Sequence, residues 1–260
     1  MNNTPHHIAI IMDGNRRWAK RNGREALFGH EQGAKTLKSV ARAVHEKGCR
    51  WLTVFAFSFE NWTRPKAEVD GLMLLLRRFL ENDINELNGE NVKLRVIGSR
   101  DRLSSRLGSL IEWAEDETSG NTGLNLSIAL DYGGRQELTN AARILATEVD
   151  RGIIKASASD INEDILKSRM ASSALPDIDL LIRTGGEQRL SNFMLWDMSY
   201  AELFFSPELW PDFSGESLDR ALSSFAARDR RFGGNSKTDT GHPEEVATNV
   251  TRINAGPRQA

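Results

Sequence analysis

Short apolar runs alternate with amphipathic stretches along most of the chain, and that alternation sets out the expected elements. Ile8 to Ile11, Trp51 to Phe57, Val92 to Ile97, Leu124 to Leu130, Ile178 to Ile182 and a segment around Glu202 to Phe205 read as strands. Bounded apolar runs of this length suit strands covered on both faces. Between them the spacing turns helical. Gly29 to Lys47 places Ala34, Leu37, Val40, Ala41 and Val44 on one face, with Gly48 as a stop signal. Ala67 to Asn88 carries a broader apolar face of Val69, Leu72, Met73, Leu76, Phe79, Leu80 and Ile84. Further helices are expected over Arg102 to Glu117, from Asp131–Arg135 through Val149, over Asn162 to Ala171, and from Ser217 to Arg230. Strands alternating with helices imply an α/β fold: a single domain over 4–234, with a mostly parallel six-stranded sheet flanked by helices. Beyond it, 235–260 is rich in Gly, Asn, Thr and Pro and poor in apolar residues, the composition of a disordered tail.

Composition narrows the function classes. A net charge of −2 gives no general attraction for nucleic acid, so any phosphate affinity has to be local. The lone Cys49 excludes an intrachain disulfide and a cysteine metal cage, which fits a reducing cytoplasm. Nothing in the chain is apolar for long enough to span a bilayer, and Met1 to His7 does not read as a signal peptide. Membrane contact is expected to be peripheral at most.

The chemistry gathers where strands end. Asp13 to Arg17, Ser58 to Arg64 and Arg183 to Asn192 are polar clusters that each follow an expected strand. Parallel strands bring all three to one edge of the sheet, where open α/β sheets bind ligands. Singly, each has an ordinary explanation: arginines are mostly solvated, a Gly185-Gly186 pair often makes a tight turn, and His30 suits a helix start. Together they assemble guanidinium forks that match phosphate oxygens, with an aspartate able to hold a Mg²⁺ bridging to the same phosphates. Asp13 and Glu202 are the candidate Mg²⁺ ligands. Neither G-x-x-x-x-G-K-[ST] nor G-x-G-x-x-G occurs, and the five histidines form no zinc motif. An anion site beside an apolar helix points to a ligand with a charged head and a hydrocarbon tail.

These blocks resemble the cis-prenyltransferases, most closely the bacterial undecaprenyl diphosphate synthases. The resemblance rests on His7-Ile-Ala-Ile-Ile-Met-Asp-Gly-Asn-Arg-Arg-Trp18, Gly29-His30, Phe55-Ala-Phe-Ser-Phe-Glu-Asn-Trp-Thr-Arg-Pro65 and Asn125 to Arg135. It continues through Asp179-Leu-Leu-Ile-Arg-Thr-Gly-Gly-Glu187, Tyr200-Ala-Glu-Leu203, Leu209-Trp-Pro-Asp-Phe213 and Arg228-Asp-Arg-Arg-Phe-Gly-Gly234. It implies a homodimer with a hydrophobic tunnel between sheet and helices, and Mg²⁺-dependent condensation of isopentenyl diphosphate with an allylic diphosphate to give a Z-polyprenyl diphosphate. Carried over by position, Asp13 coordinates Mg²⁺ and assists the leaving diphosphate. Gly14, Asn15, Arg16, Arg17 and His30 surround the allylic diphosphate, with Trp18 in the same binding set. Ser58, Glu60, Asn61, Trp62 and Arg64 order around the reacting carbons, Asn61 or its neighbours assisting proton removal. Arg183, Arg189 and Ser191 grip isopentenyl diphosphate, completed by Glu202 and by Arg231 and Gly233 of the partner subunit. Val54, Ala56, Leu72, Met73, Leu76 and Leu126 are expected to line the tunnel, and alanine at position 56 goes with longer products.

Three positions depart from the family pattern. Ala26 stands where many relatives carry an arginine that touches the allylic diphosphate, a role Arg24 or Arg16 is expected to fill. Gln188 stands where bacterial relatives often have a histidine, and Phe59 replaces a small serine and is expected to narrow the reaction chamber. These motivate an alternative, a short-chain or irregular cis-prenyl diphosphate synthase. An alternative from another class is a non-catalytic partner subunit, against which the retained Asp13 and Arg183–Arg189 cluster weigh.

Overall fold

In a computed structural model, which describes residues 4–154 and 160–228, the elements follow the expected order. They are β1 (His7–Ile11), α1 (Asn15–Arg21), α2 (Ala26–Glu46), β2 (Trp51–Ser58), α3 (Lys66–Gly89), β3 (Lys93–Ile97), α4 (Ser105–Glu117), β4 (Asn125–Tyr132), α5 (Gly134–Asp150), α6 (Glu163–Lys167), β5 (Leu180–Arg183), β6 (Glu202–Phe205) and α7 (Gly215–Ala226). Short 3-10 turns cover Phe59–Thr63 and Trp210–Asp212. The six strands form one sheet in the order β3-β4-β2-β1-β5-β6, and every pairing is parallel.

The strands sort their side chains by the two-residue period of a pleat. On one face Ile8, Ile10, Leu52, Val54, Leu94, Leu126, Ile128, Leu180 and Ile182 pack against the apolar stripes of α2, α3, α4 and α7. The other face, with Ala9, Ile11, Ala129 and Leu181, is covered by Leu175, Ile178, Phe193, Met194 and Met198. This accounts for the unbroken apolar runs at β1 and β5, whose residues are all buried.

Boundaries differ from the sequence reading by a few residues, and one helix was not foreseen. Helix α1 occupies the stretch read as a loop; it buries Ala19 alone, so it shows no apolar period. Its start is fixed by neighbours instead. Gly14 precedes it at φ +114°, a left-handed conformation that glycine adopts without strain. Gly29 of α2 then lies so close that a Cβ there would stand 2.1 Å from the Asn15 carbonyl oxygen. Helix α6 ends at Lys167 and α7 at Ala226, each four residues before expectation. The expected tail over 235–260, and Arg231 and Gly233, lie outside the described residues.

Candidate active site

The carboxyl ends of β1, β2 and β5 lie side by side, since Ile11 is level with Phe55 and with Arg183. Each strand therefore delivers its polar cluster to one place. Asp13 is held between two guanidinium groups: its Oδ1 accepts from Arg17 Nη2 at 3.1 Å and its Oδ2 from Arg183 Nη2 at 2.9 Å. Arg183 is only 3% exposed, although charged. Its Nη1 donates to the Arg189 carbonyl at 2.6 Å and to Ser191 Oγ at 2.7 Å, so one fork ties β5, the 189–191 turn and Asp13 together. Arg17 also donates to the Gly185 carbonyl at 2.7 Å. The buried Thr184 hydroxyl donates to the Asp13 carbonyl at 2.7 Å, which pins the backbone beneath the carboxylate.

The second cluster approaches from β2. Asn61 Oδ1 accepts from the Ser58 N–H at 3.1 Å, closing the 59–63 turn, and Glu60 accepts from Asn192 Nδ2 at 3.0 Å, linking that turn to the third cluster. Arg64 pairs with Glu68 at 3.0 Å. Beside it, burial first and then the Arg64 guanidinium lower the pKa of His30 to about 4, so the ring is neutral at pH 7. His30 Nε2 and Asn15 Oδ1 are both buried without a hydrogen-bond partner.

A cavity of about 660 Å³ opens among these groups. Its mouth carries Asp13, Asn15, His30, Ser58, Glu60, Asn61, Arg64, Arg183 and Ser191, and its walls are Leu37, Phe57, Leu72, Met73, Leu75, Leu76, Phe79, Ile128 and Leu130. Ala56 enters the lining because β2 is irregular there: Phe55 pairs with Ala129 and Phe57 with Leu130, which leaves Ala56 as an extra residue in its strand. A second hollow, of about 610 Å³, shares Met12, Asp13, Asn15, His30 and Arg64 with the first and adds Gly14, Arg16, Arg17, Lys20, Arg24 and Ala26. It is dominated by cations.

Most of the residues singled out in the sequence meet here, and four stand apart. Trp18 stacks on Phe28 and donates to Asp212 at 2.6 Å, outside both hollows. Trp62 packs edge-on against Phe57 and does not line the cavity. Arg189 is largely exposed and pairs with Glu187 at 2.6 Å; its carbonyl, not its guanidinium, joins the Asp13–Arg183 network. Glu202 begins β6 level with Leu180, at the opposite end of the strands from Asp13, and pairs with Arg228 at 2.5 Å. Within one chain, then, Asp13 and Glu202 do not share a site. Among the lining residues expected from sequence, Val54 and Leu126 are packed core instead. Phe59 does not narrow the chamber either: it lies outside the cavity beneath the Arg102 guanidinium, 4.1 Å from the ring centre.

The structure also adds residues to the site. Asn192 lines the cavity and bridges Glu60 to Gln136. Lys20 joins the basic hollow, where Arg24 and Ala26, both singled out in the sequence, also lie. Asn192 belongs to a cluster visible in the sequence, whereas nothing in the spacing of Lys20 sets it apart from a solvated lysine.

Asp13 and Glu60 are the carboxylates at the mouth, and the Asp13 side chain, set between the two guanidinium groups, is 29% exposed. A hard divalent cation such as Mg²⁺ is held by one or two carboxylates together with substrate phosphates and water, so this donor set fits that ion once a phosphate is present. Among the described residues no three His, Cys, Asp or Glu side chains form a ready-made cation cage. No helix among them is long and apolar enough to cross a membrane.

Known proteins match this arrangement closely. A family model described as "Putative undecaprenyl diphosphate synthase" matches residues 11–233. An isoprenyl transferase of Agrobacterium fabrum is 48% identical over 88% of this chain and 92% of its own. A ditrans,polycis-undecaprenyl-diphosphate synthase of Aliivibrio fischeri, described as specific for (2E,6E)-farnesyl diphosphate, is 48% identical over 88% of each chain. Among solved structures, lavandulyl diphosphate synthase from Lavandula x intermedia, in complex with dimethylallyl diphosphate, superposes with a TM-score of 0.86 at 38% identity, over 90% of this chain and all of that one. A probable undecaprenyl diphosphate synthase from Campylobacter jejuni gives 0.73 at 34% identity over the same shares. Family model, curated relatives and solved structures agree with one another: the chain belongs to the undecaprenyl diphosphate synthase family of cis-prenyltransferases.

Proposed function

We propose that this enzyme condenses isopentenyl diphosphate with an allylic diphosphate in repeated cis additions, depends on Mg²⁺, and releases a long Z-polyprenyl diphosphate of the undecaprenyl type. The observation that carries this reading is a single cavity whose mouth is charged and whose interior is apolar. Such a space suits substrates with a diphosphate at one end and a growing hydrocarbon at the other.

The cation-rich hollow takes the allylic diphosphate, with Arg16, Arg17, Arg24, Lys20 and the N–H groups at the start of α1 as donors. Arg183 and Ser191 take the diphosphate of isopentenyl diphosphate, with Arg189 released from Glu187 to join them. Ser58, Glu60 and Asn61 line the space between, where the reacting carbons meet. Breaking the allylic C–O bond places negative charge on the departing diphosphate. Arg17 and Arg183, already oriented by hydrogen bonds, stabilise that charge without reorganising. Holding two substrates in register contributes a second large term, up to roughly 7–11 kcal/mol in favourable cases. Asn61 or its neighbours assist loss of the proton from the isopentenyl carbon, with the Glu60 carboxylate beside it as the stronger acceptor. Neutral His30 donates or accepts a hydrogen bond at the mouth without adding charge. Asp13, together with substrate phosphates, would hold Mg²⁺, which would supply further neutralisation of the leaving group. The apolar walls form the tunnel that stores the lengthening chain and keeps water from the reacting carbons.

A homodimer acting in the cytoplasm completes this reading. The free, buried Cys49, whose pKa burial raises to about 11, is consistent with a reducing compartment. Three features of the geometry weigh against the short-chain or irregular alternative, which the likeness to lavandulyl diphosphate synthase favours. Phe59 stays outside the cavity, exposed Gln188 does not line it, and the hollow around Ala26 keeps Lys20 and Arg24. The test is incubation of purified protein with labelled isopentenyl diphosphate and farnesyl, geranyl or dimethylallyl diphosphate, with and without Mg²⁺, followed by sizing of the products. Long products formed only with Mg²⁺ are expected. Short or branched products would favour the alternative, and no consumption with any primer would end the proposal.

A further inference from the structure

We infer that Arg102, outside the cavity, is a positioning residue that clamps the 58–64 segment over the reacting carbons, an inference that rests on the function proposed above. Arg102 lies in the connection between β3 and α4. Its fork grips Asp131 at the end of β4, Nε donating to Oδ2 at 3.0 Å and Nη2 to Oδ1. The Asp131 side chain is fully buried, and its backbone is held at φ +48°, so this carboxylate is a fixed point. The opposite aspect of the guanidinium covers aromatic rings, 4.1 Å from the centre of Phe59 and 5.0 Å from that of Trp62.

Phe59 and Trp62 flank Glu60 and Asn61, the two side chains the turn sends into the cavity. Arg102 itself does not line the cavity. None of the turn's residues is buried, and its other ties are the local bonds Ser58 N–H to Asn61 and Thr63 to the Glu60 carbonyl, the Asn192–Glu60 bond, and the edge-on packing of Trp62 against Phe57. A planar cation stacked on two rings and bonded through its edge to a buried carboxylate ties this partly exposed turn to the end of β4. Lysine cannot replace it, because a single ammonium lacks the fork and the flat face.

The test compares the full-length wild type with Arg102→Ala, Arg102→Lys, Phe59→Ser, Phe59→Trp and the Arg102→Ala/Phe59→Ser double variant. Two readouts are taken: steady-state kinetics and hydrogen–deuterium exchange of the 58–64 amides. The diphosphate grips lie elsewhere, so KM for isopentenyl diphosphate should stay within about twofold. A misplaced catalytic turn should lower kcat, by roughly tenfold to a hundredfold for either Arg102 variant. Exchange at 58–64 should rise in the same variants while β1 and β5 amides stay protected. Phe59→Ser should lower kcat by about threefold, Phe59→Trp should restore it, and the double variant should be no worse than Arg102→Ala alone, as expected for two members of one contact. Unchanged kcat and unchanged exchange in Arg102→Lys overturn the clamp. So does a uniform rise in exchange across the sheet, or additive losses in the double variant. A wild-type enzyme that consumes no isopentenyl diphosphate would defeat the proposed function instead, and the exchange data would still report on the clamp.

Discussion

Replacing Arg183 by lysine keeps the positive charge and removes the shape, which makes it the sharpest probe of the mouth of the cavity. In the native protein two terminal nitrogens serve three acceptors, at 2.6, 2.7 and 2.9 Å, from a side chain that is 4% exposed. A lysine ammonium is one nitrogen on a differently shaped stem, and it cannot span the Arg189 carbonyl, Ser191 and Asp13 together. Keeping one bond and losing two, at about 1.5–3 kcal/mol for each bond to a charged group, sets a gross loss of about 3–6 kcal/mol. The partial exposure of Asp13 and its second partner, Arg17, reduce that figure, so a net loss of about 2–4 kcal/mol is expected. For a fold of this size that lowers the melting temperature by roughly 4–16 °C. Catalysis should fall further than stability implies, by roughly 10²–10³, because the donors aimed at the developing charge lose their common anchor. Circular-dichroism melts and labelled isopentenyl diphosphate incorporation at a temperature well below both melting points measure the two effects separately. A variant that melts within about 2 °C of the parent and retains most of its activity would refute the claim that this fork organises the site.

Acid should weaken the fold through two neutral histidines. Burial lowers both His7 and His30 to a pKa of about 4. The unfolded chain therefore takes up protons below about pH 6.5 that the folded chain refuses; stability is full above that pH and declines as pH falls towards 4. Denaturant melts at pH 7, 5.5 and 4.5 check this, and a His7→Gln variant should show a shallower decline. Ala56→Phe should place a ring in the cavity from the irregular point of β2, shortening the products while isopentenyl diphosphate is still consumed; thin-layer sizing decides, and unchanged product length would remove Ala56 from the lining.

The order of elements, the parallel α/β architecture and the three strand-end clusters were legible in the chain because they depend on local rules. A strand covered on both faces needs an unbroken apolar run, a helix against a sheet needs a stripe, and parallel strands put their ends on one edge. Asp13, Asn15, Ser58, Glu60, Asn61, Arg64, Arg183 and Ser191 met in one cavity for that reason, and His30 joins them from α2. Helix α1 escaped because it is held by the close approach of Gly29, a tertiary contact with no periodic trace.

Residues distant in sequence, and directions of side chains, were decided by the folded structure alone. Phe59 looked like bulk in the reaction chamber, yet its ring turns away beneath Arg102, more than forty positions later, which is anchored in turn by Asp131. Glu202 shared a polar signature with Asp13, but strand register sets the two at opposite ends of the sheet. Arg189 stood in a basic cluster, and it is its backbone that joins the network. A side chain's type is written in the sequence; where it points depends on the neighbours that packing supplies, and those are known only once the whole chain has closed around its core.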